Sequence, residues 1–535
     1  MSSTVPRSAP PQPGRSGAGR GPRRAPGLSQ PSRLAALAGI LAGGVTLGVA
    51  QLAAAIIAPS AAPLVAVGGA FIDLTPPWLK DFAIATFGTN DKRALLISMS
   101  VVIGALAALA GVLARRRWGA GAALVLLLAA AGGIAAATRP AAGPLAPLPS
   151  ILGGVAGLFA LRRLLARIPG PGRATAPTGA LDRRSFLTAA VLTTAVGALA
   201  AAGGQIVGRA TRTVQAARAA LRLPAAARPT GPLPAGVSST VAGVVPFRTA
   251  NNDFYRIDTA LLVPEVDAGS WSLRVHGLVE REVTITFQEL MEADLIESWV
   301  TLTCVSNLVG GDLIGNAKWL GYPIRLLLAR AGPKSSADMV LSTSADGFTA
   351  STPLTALTDS RDAILAIGMN GEPLPIAHGF PVRMVVPGLY GYVSATKWVV
   401  DLEVTRFADA RGYWTDRGWS AMGPIKTASR IEVPRPGARP AAGRIAVGGT
   451  AWAQHRGIRA VEVQVDDGAW APATLALEAS VDTWRQWSYL WDATPGKHRL
   501  TVRATDGAGA VQTSVRADPP PDGATGWHSI DVTVG

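Results

Sequence analysis

Five stretches of this chain, Leu34–Ala58, Ala94–Ala114, Gly119–Ala137, Leu148–Leu165 and Ser185–Val207, are apolar almost without interruption. Each approaches the roughly 20 residues that a helix needs to cross the hydrocarbon of a bilayer. They are apolar on every side, so none can be an amphipathic surface helix. The pattern predicts an N-terminal α-helical bundle of about five transmembrane spans over residues 34–208. A sixth apolar piece, Ala62–Ile72, is too short to span. It leads into Pro76-Pro77-Trp78-Leu79-Lys80-Asp81, read as an extracytoplasmic loop or a re-entrant segment.

Charge supplies the orientation. The formal balance is +15, but 24 of the 50 Lys and Arg and only 4 of the 35 Asp and Glu precede residue 231, leaving −5 for the remainder. A nucleic-acid partner for the whole protein is excluded by that asymmetry. The arginines cluster in a Pro- and Gly-rich arm at 1–33, expected to be disordered, in Arg115-Arg116-Arg117, and across Arg162, Arg163, Arg167, Arg173, Arg183 and Arg184. Five crossings bring all of these to one side, which the positive-inside rule makes the cytoplasm. Everything after about residue 208 is then expected outside, in a multi-pass cell-membrane protein. The segment Asp182-Arg183-Arg184-Ser185-Phe186-Leu187 reads either as a positive-inside anchor or as resembling a twin-arginine export signal.

Residues 209–245 read as a linker, basic and then proline-rich. From 246 to about 429 short strands alternate with helical pieces. Trp271, Leu273 and Val275 alternate, as do Val283, Ile285 and Phe287 before a helix at Gln288–Leu295. Asp346-Gly347 and Asn370-Gly371 are hairpin signals, and Pro323 opens a short helix that Gly332 stops. This is an α+β domain. From 430 to 535 strands at Arg444–Ala451, Arg459–Val465, Trp487–Trp491 and His498–Ala504 follow one another through Gly-containing turns, the rhythm of a β-sandwich.

The five histidines, His276, His378, His455, His498 and His528, all lie beyond the apolar runs, so the bundle offers no imidazole pair for haem. Its acidic residues, Asp73, Asp81 and Asp91, fall in one loop rather than inside spans, which argues against a proton-coupled transporter. The one cysteine, Cys304, excludes an internal disulfide and sits in Thr301-Leu-Thr-Cys-Val-Ser-Asn307 at the end of an alternating run. It is either a small buried hydrophobe or a thiolate that serves as one ligand of a soft or high-valent metal.

Several motifs in order decide between these: "NNDFYRID" (Asn251–Asp258), "TLTCVSN" (Thr301–Asn307), "WLGYPIRLLL" (Trp319–Leu328) and "HGFPVRMVVPGLYGYVSATKW" (His378–Trp398). With the C-terminal sandwich, they resemble the sulfite oxidase family of molybdopterin-dependent oxidoreductases over roughly residues 245–535. The resemblance implies an α+β molybdopterin domain followed by an immunoglobulin-like domain often used for homodimerisation. It makes Cys304 the protein thiolate on molybdenum. Asn252, Tyr255 and Arg256 are implied as pterin contacts and Ser344 as a hydroxyl near the cofactor. His378 and Arg383, then Ser394, Thr396 and Lys397, are implied around the cofactor phosphate.

The chain also departs from that pattern. Sulfite oxidases place an arginine directly before the asparagine of the first motif, where this chain has Asn251 preceded by Ala250. That puts sulfite itself in doubt and leaves Arg256, Arg361, Arg411 and Arg417 as unplaced candidates for an oxyanion site, Arg256 being carried forward with Cys304 as a catalytic residue. No cytochrome b5 domain is seen. The expectation is a membrane-anchored molybdenum-cofactor enzyme, without haem, that transfers an oxygen atom to or from a small sulfite-like or S-/N-oxide substrate and passes electrons to an external partner. The alternative is a non-catalytic membrane protein with an adhesive sandwich and a degenerate cofactor fold.

Overall fold

The computed structural model describes residues 30–57, 61–76, 91–139, 142–168 and 210–535 continuously, with isolated positions within 79–87 and 188–198. The arm before residue 30, the Asp182–Leu187 segment and most of the fifth apolar run, Ser185–Val207, lie outside the described residues.

The first part is helical: α1 (Gln30–Ile57), α2 (Pro63–Leu74), α3 (Asp91–Arg116), α4 (Trp118–Ala137) and α5 (Leu148–Leu165). Among the described residues four helices are long and apolar enough to cross a membrane; α2 is not. The helices approach closely through small residues, which let their backbones come together. A Cβ on Gly153 would come within 2.5 Å of the Thr46 carbonyl oxygen on α1, and one on Gly39 within 2.9 Å of the Gly111 nitrogen on α3. Ile97, Val101, Leu126, Leu127, Ile134, Val155 and Phe159 point outward and are more than half exposed. That much apolar surface suits a hydrocarbon solvent rather than water.

Among the described residues the bundle meets the rest of the protein through α2 and the first turn of α3. Asp73 on α2 accepts hydrogen bonds from the Tyr413 hydroxyl (2.8 Å) and from Arg139 just beyond α4 (2.7 Å). Lys92, in the first turn of α3, pairs with Asp258 at 2.7 Å. Leu261 packs where Gly68 leaves no side chain in the way. Arg115 and Arg116 stand in the last turn of the same α3, about 35 Å from Lys92 at 1.5 Å per residue.

The stretch read as a linker is not a free tether. It contains α6 (Ala210–Ala220), whose Arg218 donates to the carbonyls of Pro373 and Leu374. The following chain joins the central domain by a bond from the Ala227 amide to the Leu295 carbonyl at 2.8 Å.

The central domain holds two sheets. In one, β1 (Ser272–Gly277), β2 (Val283–Thr286), β5 (Met339–Ser344), β6 (Thr349–Pro353) and β10 (Val399–Thr405) run in the order β2-β1-β10-β5-β6, with β1 and β10 parallel. In the other, β3 (Ile296–Thr303), β4 (Ile314–Pro323), β7 (Ile364–Met369) and β8 (Glu372–Pro373) run in sequence, with β9 (Arg383–Val385) also on β7. The turn signals act as read. Asn370 and Gly371 both take positive φ, 55° and 87°, and close the β7–β8 hairpin. Pro323 caps the helix α8 (Ile324–Ala331), and Gly332 ends it in the left-handed region. Its predecessor α7 (Phe287–Glu292) begins at a reciprocal Thr286–Glu289 capping box and stops short of the expected Leu295.

The C-terminal part is two four-stranded sheets. Strands β11 (Ala428–Val433), β12 (Gly443–Trp452), β16 (Arg485–Ala493) and β15 (Thr474–Leu475) form one. Strands β14 (Ala471–Pro472), β13 (Ile458–Val465), β17 (Gly496–Asp506) and β18 (His528–Val534) form the other. Val447, Val463, Trp487, Leu500 and Val502 fill the space between them and are fully buried. This sandwich also grips β3. The Trp484 amide donates to Thr301 Oγ1 (2.8 Å), Gln454 Nε2 donates to the Thr301 carbonyl and Thr303 Oγ1, and Arg430 donates to the Gly311 carbonyl. Both ends of the segment bearing Cys304 are therefore fixed from outside the central domain.

Candidate active site

Strand β3 ends at Thr303, and Cys304 is the next residue. Its amide still donates to the Leu313 carbonyl (2.9 Å), while Asn307 Oδ1 accepts from the Leu313 amide (2.9 Å) and closes the glycine-containing loop. The thiol is thus held at a strand tip, buried but at the wall of an open cleft. Tyr255, Asp258, Ser306, Ser344, Arg383 and Lys397 share the lining with it, as do the rings of Tyr392, Trp398, Trp414 and Trp419. Burial pushes the Cys304 thiol up, and Ser306 and Lys397 pull the other way. Without a metal cation the proton stays; a coordinated cation would displace it.

Arg383 is buried behind the cleft wall and its guanidinium lies over Trp319. Among the described residues it meets three carbonyls, of His378, Met384 and Ala395 at 3.2–3.3 Å, and no carboxylate. Burial pushes it down to about 10, so it remains a cation without an anion. Lys397 has one: its Nζ lies 3.0 Å from Asp258 Oδ2. Burial pushes Lys397 down to about 8, with Asp258 pulling it back up and Arg383 opposing. Burial alone would raise the Asp258 carboxyl, yet Lys397, Arg256 and Lys92 together hold it well below the usual carboxylate range.

His378 supports the site from beneath. The Asn251 carbonyl lies 3.2 Å from its Nε2, which must carry the proton to bond there. Its Nδ1 is then an acceptor, buried and without a partner among the described residues. Burial, with Arg383 and Lys397 nearby, pushes the imidazole down to about 3. An unfolded histidine gains a proton below 6.5, so the unfolded state binds more protons throughout that window. The contribution is fully present above pH 6.5 and declines by about 1.4 kcal/mol per pH unit as pH falls toward 3. His528, pushed down to about 4 by burial, adds a second such decline. Denaturant unfolding between about pH 4 and 6 should therefore lose one slope in His378→Asn. An unchanged pH dependence would mean that His378 is not held neutral.

The other expected residues are placed less uniformly. Ser344 lines the cleft beside Asp346. Ser394 is buried, but its hydroxyl donates to the Leu389 and Tyr390 carbonyls. Thr396 shares its hydroxyl with Ser342 at 2.7 Å. Both fix the loop from behind rather than line the cleft. Asn252 is exposed and outside the lining. Arg256 is half-exposed and paired with Asp258 at 2.8 Å. Arg361 chelates Asp359, and Arg417 stacks on Tyr413 at 3.6 Å, which leaves no described arginine projecting toward Cys304 among these candidates. Sequence reasoning gave no part to Asp258, although it ends the first motif, nor to Lys92 or the tryptophans. A carboxylate between two basic residues of known motifs is the signal that was available.

A buried thiol, an uncompensated guanidinium and a lysine at one cleft are the equipment of an enzyme that holds an anionic, metal-bearing cofactor. The family described as "Oxidoreductase molybdopterin binding domain" matches residues 260–414. An uncharacterized oxidoreductase of Bacillus subtilis, YuiH, is 32% identical over 157 residues, covering 29% of this chain and 76% of the relative. Mouse mitochondrial sulfite oxidase is 27% identical over 328 residues, 51% of this chain and 59% of the relative. The solved sulfane dehydrogenase SoxCD of Paracoccus pantotrophus is similar at 25% identity and a TM-score of 0.46, over 51% of this chain and 76% of that one. The chain belongs to the sulfite oxidase family of molybdopterin-dependent oxidoreductases. It covers little more than half the length of the mammalian sulfite oxidases.

Proposed function

We propose that this oxidoreductase is anchored in the cell membrane with its catalytic domain outside the cytoplasm, and that it transfers an oxygen atom to or from a small substrate. The convergence of the Cys304 thiol with Arg383 and Lys397 on one cleft carries the reading. The residues fit the cofactor. Among the described residues Arg383 meets no carboxylate, Lys397 stands beside it in the lining, and Cys304 is a soft ligand at the wall. When bound, the molybdenum cofactor supplies two-electron redox chemistry and oxygen exchange; the protein supplies position and field.

Cys304 would hold the metal, and the loop Ser306–Asp312, clamped by Asn307 and Arg430, keeps that thiol from turning into the core. Arg383 and Lys397 would meet the cofactor phosphate, the first through its planar fork and the second as a compact charge. Tyr255 stays protonated, since burial pushes its phenol far up, and offers a neutral hydroxyl at the wall. The rings of Trp414 and Trp419 add apolar surface to the cleft lining. Electrons leave to a separate partner, and association through the C-terminal sandwich into a homodimer belongs to the same proposal.

The topology has independent support. The helix ends that contact the catalytic domain, at Asp73 and Lys92, are opposite those bearing Arg115 and Arg116, and Arg139, which binds Asp73, stands at the end of the bundle away from Arg162 and Arg163. With those arginines inside, the catalytic domain is outside. Reporter fusions after Arg117 and after Leu233 are expected on opposite sides of the membrane; one side for both would end the arrangement. A substrate panel of sulfite, sulfoxides and N-oxides with an artificial electron carrier tests the reaction. Turnover of none of them by molybdenum-loaded protein would favour the non-catalytic alternative.

A further inference from the structure

We propose that Lys92, contributed by the membrane bundle, is a positioning residue of the cofactor pocket: it holds the Asp258 carboxylate so that Lys397 is released to bind the cofactor phosphate. This rests on the reading of Lys397 as a phosphate ligand.

The geometry is a shared carboxylate. The Asp258 side chain is 7% exposed and its two oxygens face three cations: Lys92 at 2.7 Å, Arg256 at 2.8 Å and Lys397 at 3.0 Å. Lys92 is tied down further, donating to the carbonyls of Asp258 (3.1 Å) and Ala260 (2.7 Å). It therefore grips the whole turn 258–260 rather than one oxygen. Lys397 and Asp258 line the cleft together, so the carboxylate occupies the side of the ammonium that an incoming phosphate must share.

Two anions then compete for Lys397. A buried carboxylate cannot be left without cations, because its desolvation is not repaid. With Lys92 and Arg256 in place, Asp258 keeps two partners when Lys397 turns to a phosphate. Without Lys92, Asp258 keeps only the half-exposed Arg256 and holds Lys397 more tightly. The bundle thus sets how available Lys397 is, although none of its described residues lines the cleft. Its seat on the domain, through Asp73, Tyr413 and Leu261, fixes where the Lys92 ammonium stands.

The test uses the full chain in detergent, with pterin retention as the readout. Cofactor-loaded protein is passed through repeated gel filtration, and remaining pterin is measured by fluorescence after acid oxidation. Lys92→Met is expected to lose pterin about tenfold faster than the parent, whereas Lys92→Arg keeps it. The double variant Lys92→Met with Asp258→Asn should return to the parental rate or slower, since no carboxylate remains to hold Lys397. Loss at the parental rate in Lys92→Met, or a double variant no better than the single one, overturns the inference. A merely structural loss of the bundle contact would not be cured by removing the second partner. Should Lys92→Met fail to fold, Asp258→Asn alone decides, with Lys92 intact. Inorganic phosphate should raise the melting temperature of its cofactor-free form more than that of the parent, and an equal or smaller rise refutes the competition. Lys397→Met separates the two levels. If it keeps pterin normally, the phosphate reading itself fails; if it loses pterin while Lys92→Met does not, only the role of Lys92 falls.

Discussion

Cys304→Ser is expected to leave a folded protein that retains much of its pterin and has no turnover. The change barely alters volume, and the flanking chain is fixed by bonds that do not involve the thiol: Cys304 amide to Leu313, Asn307 to Leu313, Thr301 to the sandwich. A buried hydroxyl in place of sulfur costs about 1–2 kcal/mol if it finds no partner. A hard, poorly ionised oxygen is a weak substitute for a soft thiolate at a high-valent metal. Activity should therefore vanish while the unfolding midpoint moves little, and the visible absorption from sulfur-to-molybdenum charge transfer should disappear. Near-normal turnover with an unchanged spectrum would mean that Cys304 is a core residue, and the cofactor reading would fall with it.

Arg383→Met should act on the cofactor rather than on the metal bond. The guanidinium is buried, meets only carbonyls, and lies over Trp319 at 5.2 Å. Replacing it removes three hydrogen bonds to backbone carbonyls, at about 1–3 kcal/mol for each one left buried without a donor. It also removes a cleft cation that meets no carboxylate among the described residues, so pterin content should collapse even in protein that remains folded. Arg383→Lys keeps a charge but not the planar fork and should retain pterin only in part. Full pterin in Arg383→Met would show that the phosphate lies elsewhere.

Local rules made much of the catalytic domain legible. Asn370-Gly371 closes a hairpin because both positions need positive φ. Pro323 and Gly332 bracket a helix for equally local reasons. The alternation of Leu273 and Val275 marked a strand whose inward residues are indeed fully buried. At the site, Cys304 at a strand tip could be read from the alternation before it and the glycines after it. The direction of a hydroxyl in an irregular loop could not. Ser394 and Thr396 stand within a few residues of Lys397, yet their hydroxyls turn to Tyr390 and Ser342. No periodicity governs a 3-10 turn followed by extended chain. The partnership of Lys92 with Asp258 spans 166 positions and joins parts of opposite character. The pair Lys92-Arg93 before an apolar run reads as helix-end charge, and only the docking of the bundle gives Lys92 another use. The C-terminal strands were found by their turns, but their grip on β3 depends on Gln454 and Trp484, side chains that look like ordinary sandwich residues.

The most direct measurement is the molybdenum and pterin content of the full chain, purified from membranes of a host supplied with molybdate. Elemental analysis and pterin fluorescence should give close to one of each per chain, both retained through gel filtration. Folded, membrane-derived protein carrying neither would contradict the account at its centre.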